Sequence, residues 1–243
     1  MKKILLGLFS LILIFNLSSC VELEGLLGSD DIAAGLKEAL EISTDTSVVQ
    51  TSIIDGYFGN AALKILFPQE ADNIKKVLEL PGVSQLGVPL LDAFELKMNR
   101  AAEAAAPAAK EIFITAITEI TIDDALGILN GNDDAATVYL RSKADETLYN
   151  AFYPEIQSAM AAVQADVAWT EITQYYNTLS SNPTVVFAVS AAGLNLDPVD
   201  TDISAYTTNK ALDGLFVVVA NEEKKIRNDV THRVTELLQK VFK

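Results

Sequence analysis

Hydrophobic residues recur every three or four positions along most of the chain, which is the spacing of one face of an α-helix. The longest such run extends from Leu91 to Ile120 and predicts one long helix. Alanines concentrated between positions 101 and 109 would let a neighbouring helix approach closely. Because the ring of Pro107 disrupts the hydrogen bond to the preceding turn, we expect this helix to bend there.

The same periodicity predicts helices before and after this run. Thr121 and Asp124 have the spacing of a capping box, and Asn130-Gly131 is typical of a helix end, so a short helix is expected between them. The other predicted helices begin near Ser29 or cover residues 69–80, 132–163 with a bend or break at Pro154, 166–180, about 202–227 and about 231–242.

Two connecting segments have a less regular pattern. Residues 60–68 fit either a short helix capped by Asn60 or an extended piece from Leu63 to Phe67 before Pro68. Residues 181–200 predict an irregular connection that contains one short strand at Val185–Val189. Because no repeat or linker divides residues 30–243, the pattern indicates one all-α domain resembling a helical bundle.

The first 19 residues have the layout of a cleaved signal peptide. Lys2 and Lys3 precede an apolar run from Ile4 to Phe15, which is shorter than the roughly 20 residues that a membrane-spanning helix needs. Leu17-Ser18-Ser19-Cys20 resembles the bacterial lipobox, and the resemblance implies a diacylglyceryl group on Cys20 and cleavage before it. Residues 20–29 would then be a lipidated tether, and the membrane would be reached through the lipid.

The charge of the chain limits its partners. The 243 residues contain 18 basic and 33 acidic side chains, for a net charge of −15 and a pI of about 4.4. Nucleic acid is therefore not expected as a partner, because phosphates are bound by clustered Lys and Arg. Removal of Lys2 and Lys3 with the leader would leave a net charge of −17, so charge would not hold the domain to an anionic membrane. With Val21 after Cys20, the periplasmic face of the outer membrane is the expected location.

The sequence lacks the residues that several common catalytic and metal-binding sites require. One cysteine cannot form an intramolecular disulfide, and one histidine, His232, leaves thiolate or imidazole zinc sites without ligands. The sequence contains no nucleophile elbow, phosphate-binding loop, dinucleotide fingerprint or zincin motif. Asp197, Asp200 and Asp202 lie close together but lack the glycine and terminal glutamate of a calcium loop. We therefore expect no metal and no cofactor.

One set of polar residues falls within the predicted core. The last long helix carries an apolar stripe from Leu212 to Val230, and Glu222 or Glu223 lies inside this stripe. A carboxylate that loses its contact with water needs a partner. If the alanine-rich helix docks there, a polar cluster is expected from Asn99, Arg100, Glu103, Asp213, Glu223 and Arg227. Such a cluster would be either an ion-pair network that fixes helix register, which we favour, or a ligand or catalytic site.

Several blocks of the sequence resemble one bacterial family. They are "GLKEALEISTDTSVVQ", "MNRAAEAAAPAAKEIF", "ILNGNDDAATVYLR" and "TTNKALDGLFVVVANEEKKIRNDVTHRVTELLQKVF", which together span nearly all of residues 30–243. The chain is identified as a member of domain of unknown function 4197, a family of predicted envelope proteins. It departs from the family pattern at Ala61, where proline is expected, and in residues 181–200. The resemblance implies a mostly helical structure and carries over no catalytic residue.

Two functional hypotheses follow. The first is a lipid-anchored, non-enzymatic helical protein of the cell envelope that binds or scaffolds another protein or an apolar ligand. Aromatic residues suited to a pocket for such a ligand are Tyr139, Tyr149, Tyr153, Trp169, Tyr175 and Tyr176. The second is a hydrolase or transferase that uses the carboxylate and arginine cluster, because carboxylate pairs perform acid and base catalysis without histidine.

Overall fold

The regular secondary structure in the described part of the chain is entirely helical. A computed structural model describes residues 28–194 and 202–242, and within these ranges there is no strand. The α-helices are α1 Ser29–Ser52, α2 Asp72–Leu78, α3 Ser84–Ala105, α4 Ala109–Thr118, α5 Ile122–Leu129, α6 Ala135–Ala162, α7 Ala165–Ser180, α8 Pro183–Ala191, α9 Ile203–Asn228 and α10 Glu236–Val241. Short 3₁₀ turns lie at Gln69–Ala71, Ala106–Ala108 and Val230–His232. The predicted all-α single domain is confirmed, whereas the leader and Cys20 lie outside the described residues.

The helices pack around α6 and α9. These two helices contact each other, α9 also packs on α1, and α6 also packs on α3 and α4. Two polar contacts show the relative direction of α1 and α4. The Lys37 Nζ on α1 donates to the Thr118 carbonyl on α4 at 2.9 Å, and Asp45 on α1 pairs with Lys110 on α4 at 2.5 Å. Helix α1 therefore runs antiparallel to α4, and its first residues lie beside the end of α4.

The long alanine-rich run folds as predicted. Helices α3 and α4 are joined by the 3₁₀ turn around Pro107, so the helical backbone continues through the proline with a local change of geometry. The alanines at 101, 102, 105, 106 and 109 are all buried. Their small side chains are what allows α1 and α6 to pack closely against this turn.

The predicted strand at Val185–Val189 is wrong, because this segment is helix α8. Asn182 caps the helix by accepting hydrogen bonds from the backbone N–H groups of Thr184 and Val185, and Pro183 occupies the first turn. These two start signals outweigh the β-branched residues that follow. The helix packs on α7 and leaves the side chain of Phe187 77% exposed.

Three other expectations change. Helix α6 is not split at Pro154 but continues from Ala135 to Ala162. The predicted last helix from about Thr231 is instead a 3₁₀ turn followed by α10, because Thr235 forms a new N-cap by accepting from the Leu238 N–H. Val230, expected in the apolar stripe of α9, lies beyond the end of that helix and is exposed.

Among the described helices, none combines the length and the hydrophobicity needed to cross a membrane.

Candidate functional site

The six residues expected to form one polar cluster occupy separate places in the fold. The structure brings Arg100 together with Glu103 and Glu223 together with Arg227. Asn99 bonds to the backbone of Ile65. Asp213 pairs with Arg141 on α6. The expected contact of Arg100 with the α9 carboxylates is not made, because Arg100 is held by Glu103 and Asp55 instead.

Glu223 caps the N-terminus of α6. Its two carboxylate oxygens accept from the backbone N–H of Ala136 at 3.0 Å, the N–H of Thr137 at 2.8 Å and the Thr137 hydroxyl at 2.7 Å. These N–H groups belong to the first helical turn, where no intrahelical acceptor is available. A negative charge at this end of a helix is also favoured by the helix dipole.

Arg227, on the same face of α9, caps the C-terminus of α5. Its guanidinium donates to the carbonyls of Leu129 at 3.2 Å and Ile128 at 3.0 Å, and its Nε donates to Glu223 at 2.9 Å. The side chains of both residues are less than a tenth exposed. All of these bonds join helix ends, so the pair fixes how α5, α6 and α9 meet and leaves neither charge facing an open cleft.

Arg100 and Glu103 fix the turn that follows α1. Glu103 Oε1 accepts from the backbone N–H of Tyr57 at 3.2 Å and of Phe58 at 3.3 Å, while its Oε2 accepts from Arg100 at 2.6 Å. Arg100 also donates to Asp55 at 2.7 Å, and Asp55 has a left-handed backbone with φ of 66°. The hydrogen bond with Glu103, followed by that with Asp55, raises the pKa of Arg100 above its usual value.

Tyr57 anchors this turn in the core. The side chain is fully buried, and its hydroxyl donates to the carbonyl of Ala211 on α9 at 2.6 Å. Burial raises the pKa of Tyr57 far above its ordinary range, so the hydroxyl keeps its proton. Gly214 makes room for the ring, because a Cβ at this position would lie 2.7 Å from the Tyr57 Cε1.

Residues 64–68 form an extended segment between α3 and α9, as the second of the two sequence alternatives predicts, while Asn60 caps a single turn before it. Asn99 pairs with Ile65 as a strand neighbour would: its Oδ1 accepts from the Ile65 N–H at 2.8 Å, and its Nδ2 donates to the Ile65 carbonyl at 2.8 Å. Glu95, one turn earlier on α3, accepts from the Phe67 N–H at 3.0 Å. Leu63, Ile65 and Phe67 are buried and Leu66 is exposed, which is the alternation of a strand.

A groove lies on the other side of this extended segment, and we name it the edge groove. Its volume is about 420 Å³. It is lined by residues 62–67, Gln69, Tyr206, Lys210, Asp213, Gly214 and Val217. The Tyr206 hydroxyl donates to the Leu66 carbonyl at 3.0 Å, which places the α9 side of the groove against the backbone edge of Leu66.

Asp213 is the one predicted site residue that borders the edge groove. It is half-exposed and accepts from Arg141 at 2.5 Å, with Lys210 Nζ at 3.9 Å. Among residues 28–194 and 202–242, no group of three or more His, Cys, Asp or Glu side chains is arranged to hold a metal ion. The groove is therefore a site of mixed charge with exposed backbone, suited to contact another molecule through hydrogen bonds.

The aromatic residues considered for an apolar pocket have several different surroundings. Trp169 packs against Phe94 and Phe67 with ring centroids 5.3 and 5.9 Å away, and Tyr176 is buried. Tyr149 stacks on Tyr153 with their ring centroids 5.8 Å apart. Tyr139 and Tyr153 instead use their hydroxyls to hydrogen-bond to Asp124 and Asp202, respectively.

The comparisons with known proteins identify one family. Residues 26–243 match the family described as protein of unknown function (DUF4197). The chain belongs to this family. No curated protein and no solved structure matched the chain. The family match includes the Glu223–Arg227 and Arg100–Glu103 ion pairs and the edge groove, so these features lie within the DUF4197 domain.

Sequence reasoning about this DUF4197 domain missed the residues that join distant elements. Tyr57, Asp55 and Arg141 were not singled out because their partners lie 45 to 154 positions away in sequence. One local signal was available, since a glycine inside the apolar stripe of a helix often marks a close approach. Gly214 is such a residue.

Proposed function

We propose that this DUF4197 protein is a lipid-anchored component of the bacterial cell envelope, located on the periplasmic face of the outer membrane, and that its helical domain binds another protein there. The observation that carries the anchoring is the sequence Leu17-Ser18-Ser19-Cys20 behind a short positive and apolar leader. A diacylglyceryl group with a further acyl chain gives durable attachment, because each buried methylene contributes about 0.8 kcal/mol.

The position of α1 supports this arrangement. Gly28 stands at the start of α1, and this end of the helix lies beside the end of α4. Seven residues lie between Cys20 and Gly28, so a fully extended chain spans about 28 Å from one to the other. The tether would therefore keep the α4 and α5 end of the domain near the bilayer.

The binding role is supported by the way the domain uses its charged groups. Glu103 and Glu223 are buried, and both direct their oxygens to backbone N–H groups and arginines. Carboxylates used in this way stabilise helix ends and turns and are not positioned to act on a substrate. The accessible polar surface of the edge groove is better suited to recognition.

The anchor is tested by mass spectrometry of the protein extracted from membranes of cells that produce the full chain. We expect a mature N-terminus at Cys20 that carries a diacylglyceryl thioether, and accumulation of the uncleaved precursor in globomycin. Cys20→Ser should abolish the lipid and leave the leader uncleaved, which mass spectrometry detects. Ser19→Ala keeps a small residue before the cysteine and serves as the matched control that is still lipidated and cleaved. An unmodified Cys20 thiol in the membrane-extracted protein would refute the anchor.

A further inference from the structure

We propose that the edge groove binds an extended segment of another polypeptide, which adds to residues 64–66 as a neighbouring strand. This inference rests on the proposed binding role and specifies its partner as a peptide with alternating apolar and acidic side chains. Strand addition obtains its affinity from main-chain hydrogen bonds and its specificity from alternate side chains.

The hydrogen bonds of the extended segment define a free edge. In extended backbone, successive residues direct their N–H and C=O groups to opposite sides. Both backbone groups of Ile65 are bonded to Asn99 on α3. The groups of Leu66 therefore face α9, in agreement with the bond from the Tyr206 hydroxyl to the Leu66 carbonyl.

Two backbone groups on this edge are left for a ligand. The Leu66 N–H and the Lys64 C=O have no hydrogen-bond partner among the described residues. An N–H and a C=O two residues apart on one edge are the pair that an added strand engages. The Leu66 side chain is 56% exposed and offers an apolar contact beside them.

The charge of the groove selects the chemistry of the peptide. Its ionised lining residues are Lys64, Lys210 and Asp213. Lys64 pairs with Glu95 at 3.5 Å, and Asp213 pairs with Arg141 at 2.5 Å and lies 3.9 Å from Lys210, so three cations share two carboxylates. The groove therefore keeps a small positive excess on a chain whose net charge is −15, and a peptide that carries carboxylates on alternate residues would complement it.

The protein's own tether does not reach this groove. Helix α1 has 24 residues and is therefore about 36 Å long, and its far end leads into the turn held by Arg100. Residues 20–27 extend to at most about 28 Å and start from the opposite end of α1. The tether is therefore not the occupant of the groove, and the proposed occupant is a segment of a different polypeptide molecule.

The probe is the synthetic peptide acetyl-Val-Glu-Val-Glu-Val-amide carrying a fluorescent label, titrated into the full-length protein in mild detergent. Binding is followed by fluorescence anisotropy, and protection of the Leu66 amide is followed by hydrogen exchange. We expect saturable binding and slower exchange at Leu66. The same peptide N-methylated at all five residues has no N–H of these residues to donate to the Lys64 C=O and should bind about tenfold more weakly.

The deciding variants are at position 66. Leu66→Pro removes the free N–H without removing any bond present in the structure, whereas Leu66→Ala trims the side chain and keeps the N–H. We expect Leu66→Pro to weaken binding about tenfold relative to Leu66→Ala, with equal melting temperatures reporting an intact fold. If the melting temperature of Leu66→Pro falls, the N-methylated peptide still decides.

Three outcomes would overturn the proposal: no binding at millimolar peptide, equal affinity of the methylated and unmethylated peptides, or a Leu66 amide protected without peptide in a protein that sediments as a dimer. The last outcome would assign the groove to a second copy of the chain. The experiment does not depend on the lipid. Peptide binding by Cys20→Ser protein would uphold the groove even if Cys20 proved unmodified, and a lipidated protein that fails to bind would lose only this inference.

Discussion

Glu223 and Arg227, one turn apart on α9, cap the N-terminus of α6 and the C-terminus of α5, respectively. Glu223 accepts from the first N–H groups of α6, and Arg227 donates to the last carbonyls of α5. Each charge therefore lies where the dipole of the neighbouring helix favours it. One ion pair thus joins the end of α5 to the beginning of α6.

We expect Glu223→Gln to lower the free energy of unfolding by about 3–5 kcal/mol, because it leaves the buried Arg227 without its counter-ion. Urea denaturation of the purified protein measures the change. Asp72→Asn, in the exposed pair with Lys76, is the control and should cost less than about 1 kcal/mol. Equal losses in the two variants would contradict a structural role for the buried pair.

Gly214→Ala should destabilise the protein by about 1–3 kcal/mol, because the new Cβ would collide with the Tyr57 ring. Gly127→Ala provides the opposite result in the same chain. No heavy atom lies within 4 Å of a Cβ at position 127, and this exposed residue of α5 should gain up to about 1 kcal/mol from the higher helix propensity of alanine. Thermal unfolding compares the two, and stabilisation by both would show that Tyr57 does not pack as described.

Asn99→Leu should cost about 3 kcal/mol, because the Ile65 N–H and C=O lose their partners while still buried. Hydrogen exchange should show faster exchange of the Ile65 amide, and urea denaturation gives the free energy. Asn228→Ala, at an exposed asparagine on α9, should change stability by less than about 0.5 kcal/mol. A protected Ile65 amide in Asn99→Leu would rule out the pairing.

The capping box of α5 gives a pH prediction. The Thr121 hydroxyl, followed by its backbone N–H, holds the pKa of Asp124 below its ordinary 3.8. Since the folded pKa lies below the unfolded one, the carboxylate stabilises the fold above the ordinary pKa, and this contribution is lost as the pH falls through the lowered folded value.

Thr121→Ala should therefore raise the pKa of Asp124 toward its ordinary value, as measured by NMR titration of the side-chain carboxyl carbon. The stability difference from wild type should be largest near neutral pH and should shrink in acid. Thr121→Ser keeps a hydroxyl and should leave the titration nearly unchanged. An unaltered pKa in Thr121→Ala would show that this hydroxyl does not set it.

The elements that were predicted correctly are those that local chemistry specifies. The Thr121 and Asp124 box and the stripe through Leu91, Phe94 and Met98 depend on residues a few positions apart, and the structure shows both. The segment Val185–Val189 was predicted wrongly although its cap is also local. There the prediction followed the strand propensity of the β-branched residues, whereas the structure begins a helix at the Asn182 cap and Pro183.

The pairing of polar residues could not be predicted in the same way. Burial of Glu103 and Glu223 follows from their place in apolar stripes. The partner of each carboxylate depends on the position of α3 relative to α9 and on the path of the turn after α1. No local sequence pattern encodes these relative positions. The edge groove was missed for the same reason, because Tyr206 meets Leu66 across 140 positions of sequence.

The pairing of Asn99 with Ile65 gives a helical protein a strand edge without a sheet. Exposed strand edges promote aggregation when they are long and flat, since unrelated chains add to them indefinitely. Here the edge ends at Pro68, which has no N–H to offer, and begins at a lysine, which discourages stacking of like copies. The molecule can thus display main-chain donors and acceptors to solvent while resisting uncontrolled polymerisation.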